Sequence, residues 1–308
     1  EDSPTFVNGV LDRIYTMHRD NIIKPDPEGR ADLHVHSNVS DGSVPPQELP
    51  ALAAEAGLAA IALTDHDTVD GVQAAREAGE QAGVIVVAGV ELTAYAPASD
   101  QEQEMEVHIA GLFVDADSEE LNEALLGLRE ARVQRVREMV GKLDQMGIVV
   151  DGEEVLRRAE NGAVGRGHLA QKLVEHGYCR NVREAFDKYL AEDSPAYVPK
   201  ERLTPAEAIE LVHAAGGVAV LCHPGLLESV EERVPALAEA GLDAIEVHYP
   251  SHSARDEALM MELARSHDLL ITGGSDFHGS LKPDIHIGQE AVSLVELHKL
   301  QQRALSLA

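Results

Sequence analysis

Tryptophan is absent from this chain of 308 residues, and aromatic side chains make up only 3% of it. Proteins that hold long single-stranded nucleic acid do so on rows of stacking rings, so that class of partner is disfavoured. Basic residues are scarce as well: 25 Lys and Arg face 54 Asp and Glu, for a formal net charge of -29. Such a surface repels long polyanions, whose binding depends on many cation–phosphate contacts. A small anionic ligand held by a few local cations remains compatible with it, and bound metal ions would add positive charge that the bulk count lacks. Only two cysteines occur, Cys179 and Cys222. They cannot build a disulfide framework, and buried thiols in a reducing cytoplasm are the expectation. No apolar run is long enough to span a bilayer. The opening Glu1-Asp2-Ser3-Pro4 lacks the build of a signal peptide.

What is present is an ordinary globular composition, 44% apolar and 26% charged. The length accommodates one large core, or one core plus an inserted module. From residue 31 the pattern alternates strand and helix. Residues 31–36, 59–64, 84–90 and 106–114 read as strands, and 46–56 and 69–82 as helices. The stretch 118–146 reads as one long helix, followed by shorter helical patterns near 153–159, 168–176 and 182–190. The alternation then resumes with helices at 206–215, 231–240 and 254–267 and strands at 218–222, 244–247 and 269–272. We therefore expect an N-terminal extension over 1–30, a βα unit built from 31–117 and 201–308, and a helical insertion over 118–200. Repeated βα units with apolar strands fit a barrel or an open doubly wound sheet. The barrel is preferred because each chemically distinctive motif follows a strand, which places them all on one C-terminal face.

Those motifs are rich in imidazole and carboxylate. His34 and His36, at i and i+2 of a strand, point to one side, and Asp41 follows in a Ser-Asp-Gly turn. His66 ends the second strand inside Thr64-Asp65-His66-Asp67; Asp67 is placed to cap the next helix and Asp65 to orient an imidazole. Glu91 ends an apolar strand, where an unpaired carboxylate is costly and calls for a cation. Its two oxygens make it the candidate bridge between two ions. His108 lies early in the fourth strand, His223 precedes Pro224, and Asp276 and His278 form a second i, i+2 pair. Packing alone does not gather so many imidazoles and acids at strand ends; a cluster of divalent metal ions does. Mixed nitrogen and oxygen donors suit Mn, Fe or Zn better than Ca or Mg. Two ions roughly 3.5–4 Å apart can hold a bridging hydroxide for in-line attack at phosphorus.

The ordered segments HVHSNVSDG, LTDHDTVDG, GVELTA, VHIAGL, LCHPG and GGSDFHG, spanning about residues 31–280, resemble the PHP (polymerase and histidinol phosphatase) phosphoesterases. The branch that is most similar includes the nucleoside 3',5'-bisphosphate phosphatase and an exonuclease on short RNA. The resemblance implies a distorted (β/α)7 TIM-like barrel with up to three divalent ions at its mouth. One ion would take His34, His36, Glu91 and Asp276. A second would share Glu91 and take His108 and His223. A third would take Asp41, His66 and His278. The implied partner is a small phosphorylated substrate, a nucleotide or short RNA. A protonated His278 or Asp276 near the third ion would serve as proton donor to the leaving oxygen, and His248, ending another strand, is a further candidate at the mouth.

The insertion carries the candidate substrate cations. Arg166 and His168 open a helix, where anions are favoured, and they resemble the family's Arg-x-His phosphate contact, with Gly167 standing where Pro is expected. Arg132 and Arg135 share a helical face, and Lys200 follows Tyr197-Val198-Pro199. Two rival readings stay open. An amidohydrolase-type C–N hydrolase also begins with HxH, but it bridges its metals with a modified Lys and would leave Asp41 and His278 idle. A non-catalytic metal-binding PHP module is the other. The sequence leaves the oligomeric state open.

Overall fold

The computed structural model describes residues 22–97, 104–158, 166–191, 194–199 and 203–307. They fall into two compact units, one formed by the chain before residue 123 and after 202, the other by 123–202. In the first unit come β1 (Arg30–Val35), α1 (Leu49–Glu55), β2 (Ala60–Leu63), α2 (Val72–Ala82), β3 (Ile85–Pro97) and β4 (Glu104–Leu112). Helix α3 (Glu119–Gln145) leads into the second unit, which adds α4 (Gly152–Arg158), α5 (Arg166–Glu175), α6 (Val182–Ala185) and a π-helical turn over Phe186–Leu190. The first unit resumes with α7 (Pro205–Ala214), β5 (Val218–Leu221), α8 (Val230–Glu239), β6 (Ala244–His248), α9 (Ala254–Ser266), β7 (Leu270–Gly273), β8 (Val292–Ser293) and α10 (Leu294–Leu307).

The strands form one sheet in the order β7-β6-β5-β4-β3-β2-β1-β8. It curls until β1 meets the segment just past β7. There the His36 amide donates to the Phe277 carbonyl at 3.0 Å, and the Asp276 amide to the His34 carbonyl at 2.8 Å. Strand β8 pairs antiparallel with the other end of β1, at Arg30 and Ala31. The result is a nearly closed, barrel-shaped sheet of eight strands, the distorted TIM-like barrel that the resemblance implies with β8 added to the expected seven. Its interior is lined by small or branched residues, among them Ala31, Ala60, Ala62, Val87, Ala110, Val218, Val220 and Ala244. Side chains of that size fill a narrow barrel without leaving a channel.

Two strands depart from the simple alternation. β3 does not stop at Val90 but continues to Pro97, and β4 runs back along it antiparallel, with Glu91 opposite Ala110 and Thr93 opposite His108. β4 is also antiparallel to β5. Glu91 is therefore mid-strand rather than terminal. Because β4 is reversed, His108, midway along it and opposite Thr93, comes beside Glu91 at the end of the barrel where the parallel strands finish. The pattern of repeated βα units, which would keep the strands parallel, is corrected here: β4 is antiparallel to both β3 and β5, whereas a βα crossover preserves direction.

The remaining boundaries differ by a few residues. α1 starts at Leu49 because Pro45 and Pro46 restrict the preceding backbone. α3 is unbroken over 27 residues, and β8 and α10, absent from the sequence reading, complete the first unit. The second unit has a core of its own, in which Val136, Met139, Leu143, Val155, Leu169, Leu173 and Leu190 pack together.

Candidate metal centre

All nine candidate ligands lie in the first unit, and their polar atoms converge around Glu91, whose residue is only 1% exposed. One oxygen, Oε2, is approached by Nε2 of His34 at 3.4 Å, of His36 at 3.2 Å and of His66 at 3.3 Å. The other, Oε1, meets His108 Nδ1 at 2.9 Å and His223 Nε2 at 3.3 Å. Asp276 Oδ1 lies 3.4 Å from His36 Nε2, 3.8 Å from His34 Nε2 and 3.3 Å from His278 Nδ1. Asp41, nearly half exposed, closes the rim: Oδ1 is 3.4 Å from His36 Nδ1 and 3.3 Å from His278 Nε2, and Oδ2 is 3.7 Å from His66 Nε2.

Backbone geometry explains the convergence. His34 and His36 sit on one face of β1, while His223 and Asp276 adopt left-handed backbone at φ 32° and 53°. Non-glycine residues pay about 1 kcal/mol or more for such a conformation, and it concentrates at functional sites. Gly274 packs directly against β1: a Cβ there would lie 2.4 Å from His34 Cβ and 2.5 Å from His34 N.

The electrostatics show a site that demands positive charge. Burial alone would raise the Glu91 carboxyl, but His66, His108 and His34 around it hold it well below the usual carboxylate range. Burial would likewise raise Asp276, yet His34 and His36 bring it down to about 2. Conversely, burial would keep His36 and His108 neutral, but the neighbouring carboxylates push them up to about 9 and about 10. His66 answers mainly to burial and falls to about 3. Protons thus fill the role of cations. His34 Nε2 and His36 Nε2 stand 3.1 Å apart, a geometry two lone pairs adopt when they point at a common ion. The ring nitrogens His36 Nδ1, His66 Nδ1 and His223 Nδ1 are buried without a hydrogen-bond partner. Within this set three groups bring all their donor atoms within 4.8 Å of one another: His36, Asp41, His66 and His278; His34, His36 and Asp276; and His66, Glu91 and His108. These imidazole and carboxylate donors are of the types that hold divalent metal ions.

A sequence profile of the PHP domain matches residues 32–193. The chain belongs to the PHP domain family. It is 36% identical over 265 residues to a 5'-3' exoribonuclease Rnm of Salmonella typhimurium, covering 84% of this chain and 88% of that protein. It is 35% identical to a phosphoribosyl 1,2-cyclic phosphate 1,2-diphosphodiesterase of Eggerthella lenta, over 83% of this chain and 97% of the relative. It is 34% identical to a 3',5'-nucleoside bisphosphate phosphatase of Chromobacterium violaceum, over 80% and 86%. Among solved structures, a putative metal-dependent phosphoesterase from Bifidobacterium adolescentis superposes with a TM-score of 0.72 at 31% identity, over 91% of this chain and 98% of that one. These relatives are named as hydrolases of phosphoric ester bonds, and the barrel is that of PHP-like metal-dependent phosphoesterases. No helix among the described residues is long and apolar enough to cross a membrane.

The PHP site rests on buried groups that the sequence reading passed over. Glu246, in β6, holds two candidate ligands at once: Oε1 is 3.0 Å from His34 Nδ1, and Oε2 accepts the His223 amide at 2.6 Å. Tyr249 donates its hydroxyl to Asp276 Oδ2 at 2.9 Å, where Lys282 Nζ also arrives, at 2.6 Å. Asp32, pushed up to about 6 by burial against the hydrogen bonds it accepts, takes the amides of Ser275 and Gly288 at 2.9 and 2.8 Å and the Ser275 hydroxyl at 2.6 Å. It ties β1 to the Asp276 segment. The signal for Glu246 and Asp32 was available, since each is an acid inside an apolar strand. Asp65, expected to orient an imidazole, instead accepts from Ser37 N, Ser37 Oγ and Ser40 Oγ at 2.6–2.7 Å and fixes the loop that carries Asp41. Asp67 is no helix cap: with φ at 49°, its carboxylate accepts the Thr93 amide at 3.3 Å. Cys222, a buried thiol outside any disulfide, has its sulfur within 4.8 Å of donor atoms of His34 and Glu91.

The other candidates have partners of their own. His248, 34% exposed at its side chain, bonds to Glu257 at 3.0 Å rather than to any of the nine. In the second unit, Arg166 begins α5 and lies over the rings of Phe186 and Tyr197, at 5.6 and 5.7 Å from their centroids. Arg135 approaches the same Tyr197 ring and donates to the Val198 carbonyl at 2.7 Å. His168 is half-buried in α5 and Arg132 is buried in α3. Lys200 lies outside the described residues.

Proposed function

We propose that this protein is a metal-dependent phosphoesterase acting on small nucleotides, either nucleoside 3',5'-bisphosphates or short oligoribonucleotides. The observation that carries the reading is the buried Glu91 carboxylate facing five imidazoles at 2.9–3.4 Å in one barrel mouth. In our assignment His34, His36, Glu91 and Asp276 hold one ion, Glu91, His108 and His223 a second, and Asp41, His66 and His278 a third, with Mn, Fe or Zn as the metal. His36 also approaches Asp41, so the first and third groups adjoin there. When bound, such ions polarise the phosphoryl oxygens and lower the pKa of water at the site.

The protein's own residues supply the frame. Glu246 holds His34 in the tautomer that leaves Nε2 free for an ion and fixes the His223 backbone. Asp65 and its serine partners hold the loop bearing Asp41. His278, buried beside Asp41, is assigned to the third ion or, when it is not bound there, as the proton donor to the leaving oxygen. His248, engaged with Glu257, is the weaker candidate for that role. The names of the relatives, an exoribonuclease and a nucleoside bisphosphate phosphatase among them, support a nucleotide substrate. We assign a second substrate phosphate to Arg166 and His168, with Arg135, Arg132 and Lys200 as further cations of the insertion. The amidohydrolase-type reading needs a bridging lysine, and Glu91 occupies that central place. Full retention of the candidate ligand set weighs against a non-catalytic module. The negative surface and the two free cysteines suit a cytoplasmic enzyme on small substrates.

The test is a phosphate-release screen of Mn-loaded protein across nucleoside mono- and bisphosphates and short RNAs. Turnover of bisphosphates or short RNA is expected; absence of release from every phosphate ester contradicts the proposal.

A further inference from the structure

The two oxygens of Asp276 have different neighbours. Oδ1 faces His34, His36 and His278 at 3.3–3.8 Å, while Oδ2 faces away from these rings and accepts from Tyr249 and Lys282. The two Oδ2 donors are unlike each other. Tyr249 is 8% exposed, packs between His223 and His252, and holds the carboxylate from within the protein. Lys282 has a side chain 41% exposed, reaching back on a flexible stem from the residue after the short helix Gly279–Leu281. One buried donor is enough to fix a carboxylate oxygen. A second, charged and solvent-facing, is surplus to that task.

We propose that Lys282 is a substrate-binding cation that receives the phosphoryl group at the mouth of the site. This rests on the reading of the protein as a phosphoesterase. Positive charge held by the candidate ligands around Asp276 would weaken the carboxylate's hold on the ammonium. The lysine stem carries several rotatable bonds, and Lys binds phosphate as a mobile point charge. The ammonium then exchanges one anionic partner, Asp276, for another, a phosphoryl oxygen arriving from solvent. Tyr249 keeps Asp276 in place during that exchange.

The experiment compares Mn-loaded wild type with Lys282→Gln and Lys282→Arg. It reads inorganic phosphate affinity by calorimetry, KM and kcat for any phosphate ester that wild type cleaves, metal content, and the thermal melt as a folding control. Removing a charge-assisted hydrogen bond is expected to weaken phosphate binding, and to raise KM, about tenfold in Lys282→Gln. Lys282→Arg should recover most of the loss, and metal content should be unchanged in both. Unaltered phosphate affinity in Lys282→Gln overturns the proposal, as does wild type that binds no phosphate. Loss of metal in place of phosphate affinity overturns it too, since Lys282 would then only position Asp276. If wild type binds phosphate through Lys282 but cleaves no ester, the functional reading fails and the assignment of Lys282 stands.

Discussion

Glu246 is the perturbation from which the most can be worked out. Its carboxylate spans two candidate ligands that are far apart in sequence, accepting from His34 Nδ1 at 3.0 Å and from the His223 amide at 2.6 Å. Glu246→Ala leaves both donors buried and unpaired. Each hydrogen bond to a charged group contributes about 1.5–3 kcal/mol, so the variant should lose roughly 3–6 kcal/mol of folding stability. It should also lose metal affinity, because the His34 ring is no longer held in one tautomer and His223 is no longer fixed in its left-handed backbone. Loss of such a partner typically weakens metal binding by about 10- to 100-fold. Glu246→Gln discriminates further. The amide offers one acceptor where the carboxylate offered two, and its NH2 faces the other donor. One contact survives, so the expected loss is nearer tenfold, with about half the destabilisation. Urea unfolding of the chelated protein gives the stability arm, and chelator competition with Mn gives the affinity arm. Wild-type metal affinity in both variants, or a Gln variant weaker than the Ala variant in affinity, would refute the reasoning.

Glu91→Gln keeps the shape of the central side chain and removes its charge; at least one ion per chain and several orders of magnitude in turnover should be lost, read by elemental analysis and phosphate release. Gly274→Ala forces a Cβ into the backbone of His34. Overpacking of this kind costs about 1–3 kcal/mol, and metal content should fall with the melting temperature; an unchanged protein would show that β1 and the Asp276 segment have slack. Arg166→Ala should erase any preference for bisphosphates over monophosphates, mainly through KM, since the contact is remote from the bond broken. Steady-state kinetics with the two substrate classes checks this, and an unchanged ratio removes the second-phosphate assignment.

Much of the site was legible because its chemistry is local. His34 with His36, and Asp276 with His278, announce themselves by i, i+2 spacing beside apolar strands, and the gathering of all nine residues follows once the barrel is assumed. The supporting groups were harder to read. Glu246 lies in Ala244–His248, a strand as apolar as the one carrying Glu91, but the histidine two residues on drew the functional assignment instead. That histidine turned out to pair with Glu257 across a loop. The antiparallel β3–β4 pair had no sequence mark either. Its apolar residues are compatible with either direction, so Glu91 read as a strand end and His108 only as a residue early in its own strand. Lys282 was invisible because a lysine in a polar loop carries no pattern; only the coordinates of Asp276 Oδ2 bring it forward. The terminal β8 was missed because a strand of two residues is too short to show periodicity, whereas α10 carries Leu294, Leu297, Leu300 and Ala304 at helical spacing and was legible.

The central claim is that the ring of imidazoles around Glu91 exists to hold divalent metal. Elemental analysis of protein expressed with supplementary Mn and freed of loose ions by gel filtration tests it most directly. The account predicts between one and three transition ions per chain, lost together with phosphoesterase activity on prolonged chelation and restored with it by Mn. Fewer than one ion per chain would contradict it.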